Sequence, residues 1–193
     1  MKKITVFCGS SLGNKAVFKN RTIELGKALV SRKIELVYGG AKVGIMGLIA
    51  EAVLEAGGKV TGVLPRFLQA KELAHEKLTD LVLVESMHER KTTMSELCDG
   101  VIALPGGFGT IEELFEMLTW AQLGLHKKPI GLLNVGGFYD PLITMIQTMV
   151  DAGFLKEINR DMLLVDDQVE RLLDRMQDYQ APEVVKWLTP PTV

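Results

Sequence analysis

The chain has 193 residues, of which 47% are hydrophobic and 24% charged, and its 22 Lys and Arg against 24 Asp and Glu give a formal charge of −2. That length suits one domain on the usual scale of about 100–200 residues, and the composition is that of a globular chain, not a disordered one. A protein that grips nucleic acid by its phosphates shows a basic excess, absent here, and no apolar run approaches the roughly 20 residues of a membrane-spanning helix.

The first ten residues, MKKITVFCGS, join two lysines to an apolar stretch that Gly9 ends too soon for a signal peptide, so they read as a first strand over residues 4–8. Further strands are predicted at 35–38, 60–64, 81–84, 101–104, 130–133 and 162–165. Helical patterns fall between and after them, at 16–32, 45–56, 87–97, 111–123, 141–151 and 169–177. Strands apolar on both faces, separated by helices, indicate a parallel sheet covered on both sides. The expected architecture is therefore α/β, a single doubly wound, Rossmann-like domain over residues 1–180. Residues 181–193, with Pro182, Pro190 and Pro191 around a VVKWL segment, read as a surface tail that docks Trp187 against the body. The two cysteines, Cys8 and Cys98, and the three histidines, His75, His88 and His126, fall at no metal or redox spacing. No metal or cofactor is expected, and buried thiols fit a reducing cytosol. The protein reads as soluble and cytoplasmic, without a nucleic-acid or membrane partner.

Glycine is clustered where strands give way to helices. After the first strand comes Cys8-Gly9-Ser10-Ser11-Leu12-Gly13, after the second Tyr38-Gly39-Gly40-Ala41-Lys42-Val43-Gly44-Ile45-Met46-Gly47, and after the fifth Leu104-Pro105-Gly106-Gly107-Phe108-Gly109-Thr110. Tight α/β turns use glycine in any case. Three such turns at the carboxyl edge of one sheet, where doubly wound folds bind their ligands, also suit an anion held by backbone N–H groups at a helix start. None of them has the dinucleotide G-x-G-x-x-G or the Walker spacing, which argues against NAD dehydrogenases and P-loop ATPases, while a single phosphate on a small nucleotide remains compatible.

In the helix that begins near Thr110, Ile111, Leu114, Phe115 and Leu118 recur at i, i+3, i+4, i+7 and are expected to face the sheet, which turns Glu113, Glu116 and Trp120 away from that stripe. Glu113 has two readings: the last member of a Thr110-Ile111-Glu112-Glu113 capping box, or a carboxylate beside the glycine loop. Glu112 is either a surface acid favoured by the helix dipole or a ligand contact. The segment Ser86-Met87-His88-Glu89-Arg90-Lys91 sets two adjacent cations near a helix start, where the dipole disfavours them; an anionic ligand would explain them, with Arg as a planar fork and Lys as a point charge. Met87 and His88 read as packing or orienting residues.

Met87-His88-Glu89-Arg90-Lys91 followed by Pro105-Gly106-Gly107-Phe108-Gly109-Thr110-Ile111-Glu112-Glu113 resembles the paired signature of the LONELY GUY (LOG) family of cytokinin riboside 5′-monophosphate phosphoribohydrolases. The resemblance continues through Thr119-Trp120-Ala121-Gln122-Leu123-Gly124 and Lys128-Pro129-Ile130-Gly131-Leu132-Leu133-Asn134, and with the second glycine turn it covers nearly the whole chain before the tail. Phe108 stands where plant members commonly have tyrosine, a change of little consequence if only backbone is used there. The resemblance implies that Arg90 and Glu113 are catalytic. It also implies substrate contacts from Glu72, Arg90, Lys91, Gly106, Gly107, Phe108, Gly109, Thr110, Ile111, Glu112 and Thr119, Glu72 lying in a segment of variable length. Members often carry a lysine decarboxylase label, but the sequence gives no reason to expect a pyridoxal phosphate site.

The expected reaction is hydrolysis of the N-glycosidic bond of a nucleoside 5′-monophosphate to free base and ribose 5-phosphate; a nucleotide-binding or carrier module without catalysis is the competing reading. Met117 and Trp120 lie off the apolar stripe assigned to the sheet, and Leu123 and Leu125 extend the apolar character past the helix end. A helix apolar beyond its core stripe is buried on a second side, so a homodimer formed partly by this helix is expected. LOG-like proteins are typically dimers, as the resemblance also implies.

Overall fold

The computed structural model describes residues 1–69 and 74–183. Seven parallel strands, β1 (Lys3–Phe7), β2 (Glu35–Tyr38), β3 (Val60–Pro65), β4 (Asp80–Val84), β5 (Gly100–Ala103), β6 (Ile130–Leu133) and β7 (Leu163–Asp166), form one sheet in the order β4-β3-β2-β1-β5-β6-β7. The helices are α1 (Ala16–Ser31), α2 (Gly44–Glu55), α3 (Arg66–Gln69), α4 (Met87–Glu96), α5 (Phe108–Gln122), α6 (Asp140–Asp151), α7 (Glu157–Arg160) and α8 (Val169–Gln177). The doubly wound parallel sheet expected from the sequence is the fold observed. Among the described residues no helix is long and apolar enough to cross a membrane.

Alternation along each strand divides the core into two layers. On one face Ile4, Val6, Leu36 and Ile102 pack with Leu25 and Leu29 of α1, Ile49 and Val53 of α2, and Leu172 of α8. On the other, Phe7, Val37, Val63 and Val101 pack with Met94 of α4, Leu114 and Met117 of α5, and Ile146 of α6. In α8 the buried Val169, Leu172, Leu173 and Met176 recur at helical spacing, so a short, highly charged helix still docks along one stripe. Strand order reverses between β1 and β5, the switch point at whose carboxyl ends doubly wound sheets form their ligand crevice.

Strand limits lie within one residue of those predicted, because apolar runs bounded by glycine or charge mark them well. Three short elements have no signal in the periodicity: α3, α7 and a 3₁₀ turn at Val135–Gly137. Two expectations about α5 are corrected. The helix starts at Phe108, with Gly107 as N-cap and no side-chain cap, so Thr110 lies inside its first turn and the capping box does not form. Its sheet face is Thr110, Glu113, Leu114, Met117 and Ala121, while Ile111, Phe115 and Leu118 are only half buried. Both faces of α5 carry apolar residues, so periodicity alone cannot phase it. Glu113 thus lies on the buried face, and Met117 is not part of a spare surface. The expectations for Glu72 and Trp187 fall outside the described residues.

Candidate active site

The three glycine turns meet at the crevice. The N–H of Gly9 donates to the Pro105 carbonyl at 3.1 Å, and the N–H of Ile45 donates to the Gly9 carbonyl at 3.1 Å. A Cβ on Gly9 would lie 3.2 Å from Gly106 Cα, one on Gly44 (φ +59°) would run into the Ser10 carbonyl, and one on Gly106 would overlap the Thr110 hydroxyl. These three glycines are demanded by the way the loops interlock. Gly107 and Gly109 differ: an added Cβ at either would meet nothing in the chain. Both are exposed, as is the Phe108 side chain at 97%. The first bond of α5 that closes a turn runs from Ile111 N–H to the Gly107 carbonyl. The N–H groups of Phe108, Gly109 and Thr110 therefore precede the helical ladder, at the positive end of the helix dipole, where an anion binds well.

Beside this helix start lies a buried ion pair. Ser86 caps α4 by accepting from Glu89 N–H at 3.1 Å, and the Glu89 carboxylate accepts from Glu85 N–H at 2.7 Å, which fixes the first turn. Arg90, one turn on, crosses to α5: Nη1 donates to Glu113 Oε1 at 3.2 Å and Nε to the Val63 carbonyl at 3.1 Å. Both side chains are about 11% exposed. Burial pushes the Glu113 carboxyl up to about 7; the Arg90 charge holds it down, Glu112 and Glu116 push it further up and Lys91 draws it down. At neutral pH this carboxyl divides between its charged and neutral forms, the condition of a group able to exchange a proton. The Cys8 thiol, at the end of β1, is raised by burial and by the Glu113 charge, and remains a thiol.

Lys91 has its own carboxylates, bonding Glu112 and, at 3.1 Å, Glu116. Burial lowers its pKa, but these bonds outweigh it and the ammonium is held charged. The adjacent cations of α4 are thus balanced by Glu112, Glu113 and Glu116 within the chain. Met87 and His88, read as packing residues, are exposed.

The fold brings together Arg90, Lys91, Glu112, Glu113 and the loop of Gly106, Gly107, Phe108, Gly109 and Thr110. Ile111 is half buried behind this loop, packed against the core. Thr119 is not brought in. It lies six residues beyond Glu113, roughly 9 Å along and 120° around the helix, and lines a groove of about 230 Å³ with Phe115, Leu118, Ile146, Met149 and Leu155. Sequence reasoning did not find Val63, whose contribution is a backbone carbonyl, or the part played by Gly39 and Met46, which flank the Arg90 guanidinium. No one-dimensional signal marks a carbonyl acceptor.

A family described as "Possible lysine decarboxylase" matches residues 46–176. The cytokinin riboside 5′-monophosphate phosphoribohydrolase LOG1 of Arabidopsis thaliana is 48% identical over 178 residues, covering 92% of this chain and 84% of that protein. The rice (Oryza sativa subsp. japonica) enzyme LOG, named for the same activity, is 47% identical, covering 94% and 75%. The molybdenum cofactor carrier protein of Chlamydomonas reinhardtii superposes with a TM-score of 0.68 over 91% of this chain and 96% of its own, at 22% identity, a likeness of fold. The decarboxylase description implies pyridoxal phosphate, whose Schiff-base lysine must be easily neutralised. Lys91, the lysine of this site, is held charged by two carboxylates and does not fit that group. Nor do the described residues include a group of three His, Cys, Asp or Glu placed to hold a metal ion. With the paired Arg90-Lys91 and Gly106-to-Glu113 segments gathered at one crevice, and with such identity over nearly all its length, the chain belongs to the LONELY GUY family.

Proposed function

We propose that this chain hydrolyses the N-glycosidic bond of a nucleoside 5′-monophosphate, a cytokinin riboside 5′-monophosphate or AMP, to free base and ribose 5-phosphate. The observation that carries the reading is the Arg90–Glu113 pair beside an open helix N-terminus. The phosphate binds the N–H groups of Phe108, Gly109 and Thr110, which sets the ribose over Glu113. Breaking the bond from C1′ to the base nitrogen sends the electron pair to the base and leaves oxocarbenium character on the sugar. A carboxylate at that position stabilises this charge. Glu113 in its ionised form also takes a proton from the water that adds to C1′, and the departing base collects a proton in turn. Arg90 orients Glu113 and keeps enough of it ionised. Glu112 reaches ribose hydroxyls on leaving Lys91, and Gly106 and Ile111 hold the loop in place.

The reading includes a homodimer. Ile111, Phe115 and Leu118, with Trp120 beside them, leave an apolar face on α5 that borders the groove carrying Thr119, and Met145, Phe154 and Ile158 expose further apolar surface on the segment from α6 to α7. In this arrangement Thr119 contacts nucleotide only across the interface. Light scattering at micromolar concentration then gives twice the monomer mass, and Trp120→Asp gives monomers of reduced activity; a fully active monomer would remove the dimer. The reading also includes a cytoplasmic location, supported by the buried free thiols of Cys8 and Cys98.

The test is base release from AMP and from its N6-isopentenyl analogue, followed by chromatography of base and sugar phosphate. Tight binding of either nucleotide without release of base would favour the carrier reading instead.

A further inference from the structure

Of the two glycines after β2, the second is explained by the backbone: Gly40 has φ +77° and faces the strand backbone and Leu64 Cβ. Gly39 has no positive φ, so conformational freedom does not require glycine there. Space does. A Cβ at Gly39 would fall well inside van der Waals contact of Arg90 Nη2, 3.2 Å from Arg90 Cζ and 3.2 Å from Met46 Sδ. Each of these is part of a side chain able to move; the backbone is not in the way. Arg90 has two polar anchors, the Val63 carbonyl through Nε and Glu113 through Nη1. The bare Cα of Gly39 supplies the third boundary, the wall on which the guanidinium lies.

We propose that Gly39 is a positioning residue of the active site: the missing side chain sets the plane of the Arg90 guanidinium and so its bond to Glu113. The inference rests on the reaction proposed above for its effect on turnover, but not for its effect on Glu113 itself. An alanine at this position leaves the strand and its turn intact and turns the guanidinium away, because the far end of a long side chain yields more easily than a sheet. Glu113 then keeps its burial and the neighbouring charges of Glu112 and Glu116 on α5, Lys91 on α4 and the thiol of Cys8 on β1, and loses its nearest cation.

The experiment is a cycle of wild type, Gly39→Ala, Arg90→Ala and the double variant, full-length in each case. The titration midpoint of the Glu113 carboxyl is read by NMR on carbon-labelled glutamate and assigned with Glu113→Gln. Gly39→Ala is expected to raise the midpoint by about one pH unit or more, the size of effect an adjacent opposite charge has. The same substitution made in the Arg90→Ala background is expected to shift nothing. Turnover of AMP is expected to fall about 100-fold in Gly39→Ala, as for a misplacement of about 1 Å. If wild type releases no base, the reaction reading fails while the titration still decides the positioning role. An unchanged midpoint in Gly39→Ala, or an equal shift with and without Arg90, overturns the proposal. Should Gly39→Ala fold poorly, thermal melts replace the titration: recovery in the double variant to the level of Arg90→Ala supports the clash, and equal damage in both backgrounds overturns it.

Discussion

Two buried carboxylates in this chain are paired with arginine and end in opposite states. Asp166, at the end of β7, accepts from Arg171 at 2.7 Å, from Arg175 at 3.3 Å and from Gln168 N–H at 2.9 Å. Burial raises its carboxyl, the Arg171 and Gln168 bonds lower it more, and it rests at about 2. Glu113, deeply buried, with one arginine at 3.2 Å and two glutamates close by, rests at about 7. Depth of burial first, then number of donors and company, decide between them. A carboxylate with two arginines and an amide is locked in its charged form and ties α8 to the sheet. One with a single guanidinium and like-charged neighbours stays within reach of its proton, which is useful for chemistry and costly for stability.

The strongest way to break that contrast is to remove the carboxylate of Glu113. Glu113→Gln keeps the shape and removes the charge; base release is expected to fall by more than about 100-fold, roughly 2.7 kcal/mol of transition-state stabilisation, with the fold retained. A folded variant near full activity would reduce Glu113 to a structural role. Arg90→Ala is expected to weaken nucleotide binding and abolish measurable turnover in the same assay.

The pH profile sharpens it. If Glu113 acts ionised, kcat/KM falls as pH drops through about 7, close to tenfold per unit below it. Stability moves the other way. A carboxyl raised in the folded state contributes stability that is full below its unfolded value, near 4.5, and is lost as pH rises through about 7. Denaturant titrations at pH 5 and pH 8 of wild type and Glu113→Gln should show this loss in the wild type alone.

Asp166→Asn tests the other member. Its depressed carboxyl contributes stability present above about 4 and lost as pH falls through about 2. The arginines that hold it are half exposed, so the cost at pH 7 is about 1–2 kcal/mol after solvent screening. The difference from wild type should shrink by pH 2, and base release at pH 7 should be unchanged; a large loss of activity would mean the two regions are coupled. The smallest effect is expected from Lys91→Ala. Its ammonium already serves Glu112 and Glu116, so KM should rise several-fold with kcat nearly constant in steady-state assays. A loss as deep as that of Arg90→Ala would give Lys91 a direct part in turnover.

The sequence by itself determined the parallel sheet, its seven strands and the crevice. Apolar strands alternating with helices have few ways to bury both faces of a sheet, and glycine at each strand end marks where backbones must approach. It also pointed to Arg90 and Glu113, through two short motifs 23 positions apart in partner residues. Only the tertiary structure decided how they meet. The phase of α5 was ambiguous because Ile111, Phe115 and Leu118 make one apolar stripe and Leu114, Met117 and Ala121 another; a glutamate is expected outside until a guanidinium from another helix is seen to accompany it inside. Lys91 looked like a free anion anchor for the same reason, since its two carboxylates are set opposite it by the packing of α4 beside α5. Gly39 read as one more turn glycine, and its contact with Arg90 exists only once β2 and α4 converge. Periodicity and turn chemistry are local and therefore legible in one dimension, whereas the charge state of a buried group depends on partners brought from distant parts of the chain.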